Sequence, residues 1–116
     1  MANNIAFQAM GKTTKITTNA STPNNATMFA DSPSNQYKIV NHATQPVYVW
    51  ISPSSSPVNV AAPTGSGANA TYAIVVPQGL YCVISGPQCS NTISVQVSAI
   101  AEAGTPEIYV TPGEGL

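Results

Sequence analysis

Turn-forming residues recur so often along this chain that little more than a short strand fits between them. Ten prolines and eight glycines are distributed over 116 residues, and together with clusters of Asn and Ser they mark a turn about every eight to twelve residues. This spacing is typical of a β-sandwich or a β-barrel, and no amphipathic helical pattern competes with it. The sequence therefore predicts an all-β fold.

The balance of apolar residues supports the same fold. Val and Ile number 11 and 9, against 2 Leu and 3 Met, and β-branched side chains pack well on a pleated sheet but lose rotamer freedom in a helix. We expect one small antiparallel β-sandwich or jelly-roll-like domain over residues 13–111, between an N-terminal arm at residues 1–12 and a C-terminal tail at residues 112–116. The candidate strands cover residues 13–18, 26–30, 36–41, 46–51, 58–62, 71–76, 80–85, 92–101 and 107–111.

Two segments, residues 47–51 and residues 93–99, alternate in polarity or side-chain size with a period of two. This alternation predicts that one face of each segment is buried. In the first segment Tyr48 and Trp50 form a second bulky face, so this strand lies in the centre of the core or is covered outside by a partner. The predicted core residues are Val47, Val49, Ile51, Ile93, Val95 and Val97.

Charged residues are scarce, and this scarcity excludes several classes of partner. The chain has three lysines, four acidic residues and no arginine, for a net charge of −1. A nucleic-acid-binding surface needs a basic face, which three dispersed lysines cannot supply. The longest apolar run, residues 72–76, is far shorter than the ~20 residues of a membrane-spanning helix, and the N-terminus does not resemble a signal peptide. We therefore expect neither a nucleic acid nor a membrane as partner, and synthesis in the cytoplasm.

The two cysteines, Cys82 and Cys89, lie on either side of residues 85–88, a tetrapeptide that contains Gly and Pro. If that tetrapeptide turns a hairpin, the two sulfur atoms face each other and a disulfide is geometrically possible. Free thiols are instead the rule in the cytoplasm. Both states stay open at this point.

Catalysis and metal binding have few candidate residues. His42 and Asp31 could form part of a Ser/His/Asp arrangement, but no Gly-x-Ser-x-Gly motif accompanies them. Glu102 and Glu107 flank one turn, where they face solvent rather than a substrate cleft. The cysteines and His42 lack the paired spacing of a zinc site. The sequence therefore predicts a protein that is not an enzyme and that has no metal or cofactor site.

Aromatic and apolar residues outside the predicted core are candidates for an interface. An aromatic pair such as Tyr48 and Trp50 can stack on sugars, but aromatic residues are also enriched at subunit interfaces, which is the favoured interpretation here. The N-terminal arm has too few residues to bury its own apolar side chains, so we expect it to dock on a neighbouring subunit. The candidate interface residues are Ile5, Phe7, Met10, Tyr48, Trp50 and Tyr109.

Four segments, about a third of the chain, resemble small structural proteins of tailed-bacteriophage virions. They are residues 6–12 (AFQAMGK), 36–42 (QYKIVNH), 46–50 (PVYVW) and 101–115 (AEAGTPEIYVTPGEG). The resemblance implies a small β-sandwich or jelly-roll-like domain without a catalytic motif, which acts in the virion as a head decoration or cement protein.

This resemblance also implies the partners. A decoration protein would bind the lattice of the major capsid protein or other virion proteins, and we expect it to form homo-oligomers. Low charge fits this role, because little desolvation cost arises when a large surface is buried on assembly. Alternative functions are a head–tail connector or tail component, a carbohydrate-binding β-sandwich module and, third, a hydrolase that uses His42 and Asp31.

Overall fold

Two antiparallel sheets, packed face to face, make up residues 7–114, the part of the chain that this computed structural model describes. The predicted all-β fold is confirmed, and the arrangement of the sheets is that of a small β-sandwich. One 3-10 turn spans Gly67–Asn69. The strands are Gln8–Ala9 (β1), Thr14–Thr17 (β2), Asn24–Met28 (β3), Ser34–Asn41 (β4), Val47–Pro53 (β5), Ile74–Val76 (β6), Leu80–Cys89 (β7), Val95–Ala101 (β8) and Glu107–Glu114 (β9).

Neighbouring strands in each sheet are far apart in sequence. In the first sheet, sheet A, the order is β1-β9-β4-β7, and β2 pairs with β9 on the same side as β1. In the second sheet, sheet B, the order is β3-β8-β5-β6. Between β3 and β9 the chain crosses from one sheet to the other five times. The fold is therefore held by long-range strand pairing.

The core lies between the sheets and is built from alternate residues of their strands. Of the six predicted core residues, Val47, Val49, Ile51, Val95 and Val97 are buried, which confirms the prediction for them. The prediction for Ile93 is wrong, because this residue is 53% exposed. The backbone N–H and carbonyl of Ile93 both bond to Ser90, in a turn that precedes the start of β8.

Residues 58–62 are extended but form no strand, contrary to the prediction. We call them the covering segment, because they cross the outer surface of sheet B. The Val60 N–H donates to Ser98 Oγ over 3.1 Å, and the Val58 N–H donates to Ser52 Oγ over 2.9 Å. Two backbone donors of the segment are thus satisfied by hydroxyl groups of the sheet below, and the Ala61 N–H donates to the Tyr72 carbonyl. The bulky outer face of β5 is covered by the chain itself.

A hairpin at residues 85–88, which would have brought the two sulfur atoms together, is absent, because β7 runs through these residues. Cys82 lies opposite Ile39 and Cys89 lies opposite Ser34, so roughly 20 Å of strand separates them. Both thiols are free. The register shifts between Ser34 and Gln36, where β7 has extra residues that include Gly86. A Cβ atom at Gly86 would lie 3.3 Å from the Tyr37 ring.

The two ends of the domain are part of sheet A, although the sequence placed residues 1–12 and 112–116 outside the strands. Gln8 pairs with Glu114 and Ala9 pairs with Gly113. A side chain at Gly113 would collide with the Phe7 ring and the Gln8 carbonyl, so glycine allows β1 to lie close to β9. Pairing between the two ends is a long-range contact that strand periodicity does not reveal.

We expect Val95→Asp to abolish soluble folding, because Val95 has no exposed surface and an unpaired carboxylate there would be strongly destabilising. Ile93→Asp, two residues earlier and exposed, is the matched control and should change the unfolding free energy by less than about 0.5 kcal/mol. Soluble expression and thermal unfolding measure both effects. A folded Val95→Asp protein with a normal melting temperature would contradict the core assignment.

A second prediction concerns Tyr37, which is fully buried and donates its hydroxyl to the Pro87 carbonyl. Burial, together with the nearby Cys89 thiol, raises the pKa of this tyrosine above its value of about 10 in the unfolded chain. The contribution to stability is therefore present below about pH 10 and lost as the pH rises further.

Tyr37→Phe should lower the unfolding free energy at neutral pH by about 1 kcal/mol, because one buried hydrogen bond is lost. The same variant should lose less stability than the natural protein between neutral pH and about pH 11, since it lacks the buried phenol. Denaturant unfolding at a series of pH values measures both. Equal slopes for the two proteins would show that Tyr37 is not the titrating group.

Candidate functional site

The outer surface of sheet A carries a cluster of aromatic and apolar side chains. In β4, buried Tyr37 and Ile39 point to the core, so Lys38 and Val40 point outward. Register places Val40 opposite Tyr81 on one side and Tyr109 on the other. We call this surface the sheet A face, and its members are Lys38, Val40, His42, Tyr81, Val83 and Tyr109.

Two ring contacts organise the sheet A face. The His42 and Tyr109 rings are stacked, with centroids 5.3 Å apart and planes at 8°. Lys38 Nζ lies 4.9 Å from the centroid of the Tyr81 ring, a distance suited to a cation–π contact. Tyr81 is still 64% exposed and Val83 is 41% exposed. The face therefore presents ordered apolar area in which Lys38 is engaged with a ring. Lys15, opposite Tyr109 at the border of the face, pairs with Glu107.

The outer surface of sheet B is organised differently. Trp50 packs against Tyr72, which follows the covering segment, with ring centroids 5.2 Å apart and planes at 54°. The Tyr48 hydroxyl donates to Glu102 Oε1 over 3.1 Å, and partial desolvation together with this carboxylate raises the pKa of Tyr48. Both aromatic residues of β5 are thus engaged within the chain, and both are half-buried.

The predicted interface residues do not form one cluster. Tyr109 belongs to the sheet A face, while Tyr48 and Trp50 lie on the opposite side of the sandwich. Phe7 and Met10 lie at the end of sheet A, where the Met10 N–H donates to the Pro112 carbonyl. Ile5 lies outside the described residues.

Sequence reasoning missed Val40, Tyr81 and Val83 as surface residues. In residues 80–84 the chain reads LYCVI, so both faces of this strand are apolar and no alternation marks which one is exposed. Register with Ile39, which is fully buried, is what assigns Cys82 to the inside and its neighbours to the outside. Only the pairing partner carries that information.

The residues weighed for catalysis are kept apart by the fold. Asp31 precedes β4 and His42 follows it, so a strand roughly 25 Å long separates them. Glu102 accepts from Tyr48 on the outer side of sheet B, whereas Glu107 pairs with Lys15 at 3.6 Å on the outer side of sheet A. Within residues 7–114, no three His, Cys, Asp or Glu side chains come together in a way that could hold a metal ion.

An apolar cleft of about 340 Å³ opens on one side of the sandwich. It lies where β6 has ended but β5 continues, so that Trp50 and Ile74 of sheet B face Ile84 and Pro87 of sheet A across the gap. Its wall contains no charged side chain. The cleft could hold apolar groups, and nothing in its lining would activate a substrate.

Comparison with protein-family models, with curated proteins and with solved structures finds no match to this chain. Across the described part of the chain, no helix is long and apolar enough to span a membrane.

Trp50 is the single tryptophan and reports on the contact with Tyr72. Tyr72→Ala should shift tryptophan emission to longer wavelength and increase quenching by acrylamide, because it removes the ring that shields Trp50. Such an aromatic pair contributes about 0.5–1.5 kcal/mol, so the unfolding free energy should fall by no more than that. Tyr81→Ala, on the other sheet, is the control that should leave the emission unchanged. Unaltered emission in Tyr72→Ala would show that the pair does not form.

Proposed function

We propose that this chain is a non-enzymatic structural protein of a tailed-bacteriophage virion, a capsid decoration or cement protein that binds the lattice of the major capsid protein. The observation that carries the proposal is the sheet A face, an ordered aromatic surface on a rigid sheet that includes Lys38 and is bordered by the Lys15–Glu107 ion pair. Residue segments that resemble small virion proteins support the choice of partner. Tyr109 of this face lies within one of those segments.

The composition of the sheet A face suits tight association. Interface cores are depleted in charge and enriched in aromatic residues, and the face offers two tyrosines beside two valines. Lys38 of this face lies over the Tyr81 ring, so burial of the face would not leave its ammonium group without a partner. Residues before Phe7, Ile5 among them, are proposed to extend this contact as an arm, since Phe7 itself lies at the edge of sheet A against Gly113.

The position in the virion follows from the number of copies in purified particles. Copies in a fixed ratio to the capsid protein are expected for decoration, and a single ring of copies per particle would instead indicate a head–tail connector or tail component. Absence from the particles would remove the virion proposal and favour the carbohydrate-binding alternative. Trp50 and Tyr72, tilted at 54°, offer no flat shared platform for a sugar, which is why that alternative ranks second.

Added to particles prepared without this protein, Tyr109→Glu should reach an occupancy roughly tenfold or more below that of the natural protein. The reason is that a carboxylate would be buried in an apolar contact. Tyr72→Glu, exposed on the opposite sheet, is the matched control and should bind normally. Quantitative binding to particles measures occupancy, and thermal unfolding verifies that each variant is folded. If a folded Tyr109→Glu protein binds at full occupancy, the sheet A face is not the capsid contact.

A further inference from the structure

The free edge of β7 is the least protected edge of the sandwich. Among the described strands, β7 has a neighbour on one side only, which is β4. It is ten residues long, and its sequence, LYCVISGPQC, has no charged residue. The other edge strands β1, β2, β3 and β6 have two, four, five and three residues, and β2 also carries Lys15. Natural edge strands are protected by charge, proline or shortness, and the first half of β7 has none of these.

The side chains at this end of β7 are also unusually exposed. Leu80 is 56% exposed, Tyr81 is 64% exposed and Val83 is 41% exposed. Leu80 lies opposite buried Asn41 and therefore belongs to the inner side of sheet A, whereas the other two point outward. A leucine on the inner side of an edge strand that stays in solvent lacks the neighbour that would cover it.

The opposite half of the same strand borders the apolar cleft. β6 stops pairing at Ile74, opposite Val49, while β5 continues to Pro53. The gap left beside β5 reaches Ile84 of β7, which also lies on the inner side of sheet A. One strand thus has an uncovered leucine near one end and an unfilled apolar cleft towards the other.

These two features complement each other in an antiparallel pair of identical strands. With Cys82 opposite Cys82 of a second copy, Leu80 of each copy lies opposite Ile84 of the other, at the mouth of its cleft. In the same register Tyr81 lies opposite Val83 on the outer side, an aromatic and β-branched pair that is favourable across antiparallel strands. No charges oppose each other, because β7 has none.

We propose that two copies of this chain associate through their β7 edges, antiparallel and with Cys82 opposite Cys82, so that each Leu80 fills the cleft of the other copy. The arrangement is a closed two-fold contact in which one patch meets itself, as most homodimers do. Backbone hydrogen bonds join the two A sheets into one continuous sheet, and the alternate side chains fix the register. This inference does not rest on the proposed virion function, although the two contacts share Tyr81 and Val83. Tyr109, the residue that tests the capsid contact, lies on β9, outside the paired strands.

Leu80→Asp tests the contact, because it places a carboxylate at the cleft of the second copy. Sedimentation equilibrium of the natural protein should show a concentration-dependent dimer, and Leu80→Asp should weaken it at least tenfold. Ile93→Asp, matched at 53% exposure but beyond the end of β7 that is remote from Leu80, should dimerise normally. Thermal unfolding verifies the fold of both variants. A natural protein that stays monomeric up to millimolar concentration, or a dimer unaffected by Leu80→Asp, overturns the proposal.

Cross-linking tests the register. Directly opposed residues of antiparallel strands have Cα atoms about 4.5–5.5 Å apart, within the range that a disulfide spans. Diamide, which takes up the two thiol hydrogen atoms, should therefore convert the dimer to a covalent form with a Cys82–Cys82 bond, identified by mass spectrometry of peptides. Cys82→Ser retains the buried Cys89 and should give no covalent dimer. A Leu80-dependent dimer without this bond would overturn the register, and a dimer that forms while particle binding fails would remove only the virion function.

Discussion

Packing of valine and isoleucine side chains between two sheets is the interaction on which the rest of this structure depends. Fully buried Val47, Val49, Val95 and Val97 come from neighbouring strands of sheet B and meet Ile39, Ile108 and Val110 of sheet A. Burial of this kind contributes about 1.5–3 kcal/mol for each large side chain. Ionic contributions are small by comparison, since the exposed Lys15–Glu107 pair belongs to a class worth about 0–1 kcal/mol.

Neutral polar groups perform the tasks that charges perform in other domains. Thr18 donates to the Pro106 carbonyl, and buried Asn41 bonds to the carbonyls of Gln45 and Val76. Ser52 and Ser98 accept from the covering segment. Within residues 7–114, each buried side-chain nitrogen or oxygen has a partner. The free-energy cost of burying a hydroxyl or an amide is lower than that of burying a charge. Loops and strand ends can therefore pack directly against the sheets.

The sequence predicted the parts of the fold that follow from local periodicity. Val47, Val49 and Ile51 alternate with Tyr48 and Trp50, and the structure buries the first set as expected. Periodicity failed where a side chain bonds to a backbone group outside its own strand. The polar residue Ser98 is buried because it accepts from Val60, and Ile93 is exposed because Ser90 holds it in a turn.

The candidate site was predictable only in part for the same reason. Tyr109 could be selected by residue type, whereas Tyr81 and Val83 lie in a strand that is apolar on both faces. Their exposure depends on β7 being an edge strand, which is a property of topology. The hairpin considered at residues 85–88 is absent for a related reason. Gly86 serves the close approach of the Tyr37 ring and Pro87 accepts from its hydroxyl, so both residues have a role inside a strand.

The two sheets are covered unequally, and this asymmetry decides where association can occur. Sheet B is covered on its outside by residues 58–62, in which the Val58 and Val60 N–H groups donate to Ser52 and Ser98. Sheet A has no equivalent cover among the described residues over Val40, Tyr81 and Val83. Of the seven charged residues of the chain, Lys38 lies on this surface, and Lys15, which is opposite Tyr109, lies at its border and pairs with Glu107. Association through sheet A would therefore bury surface that the fold itself leaves exposed, whereas association through the centre of sheet B would first have to displace hydrogen-bonded chain.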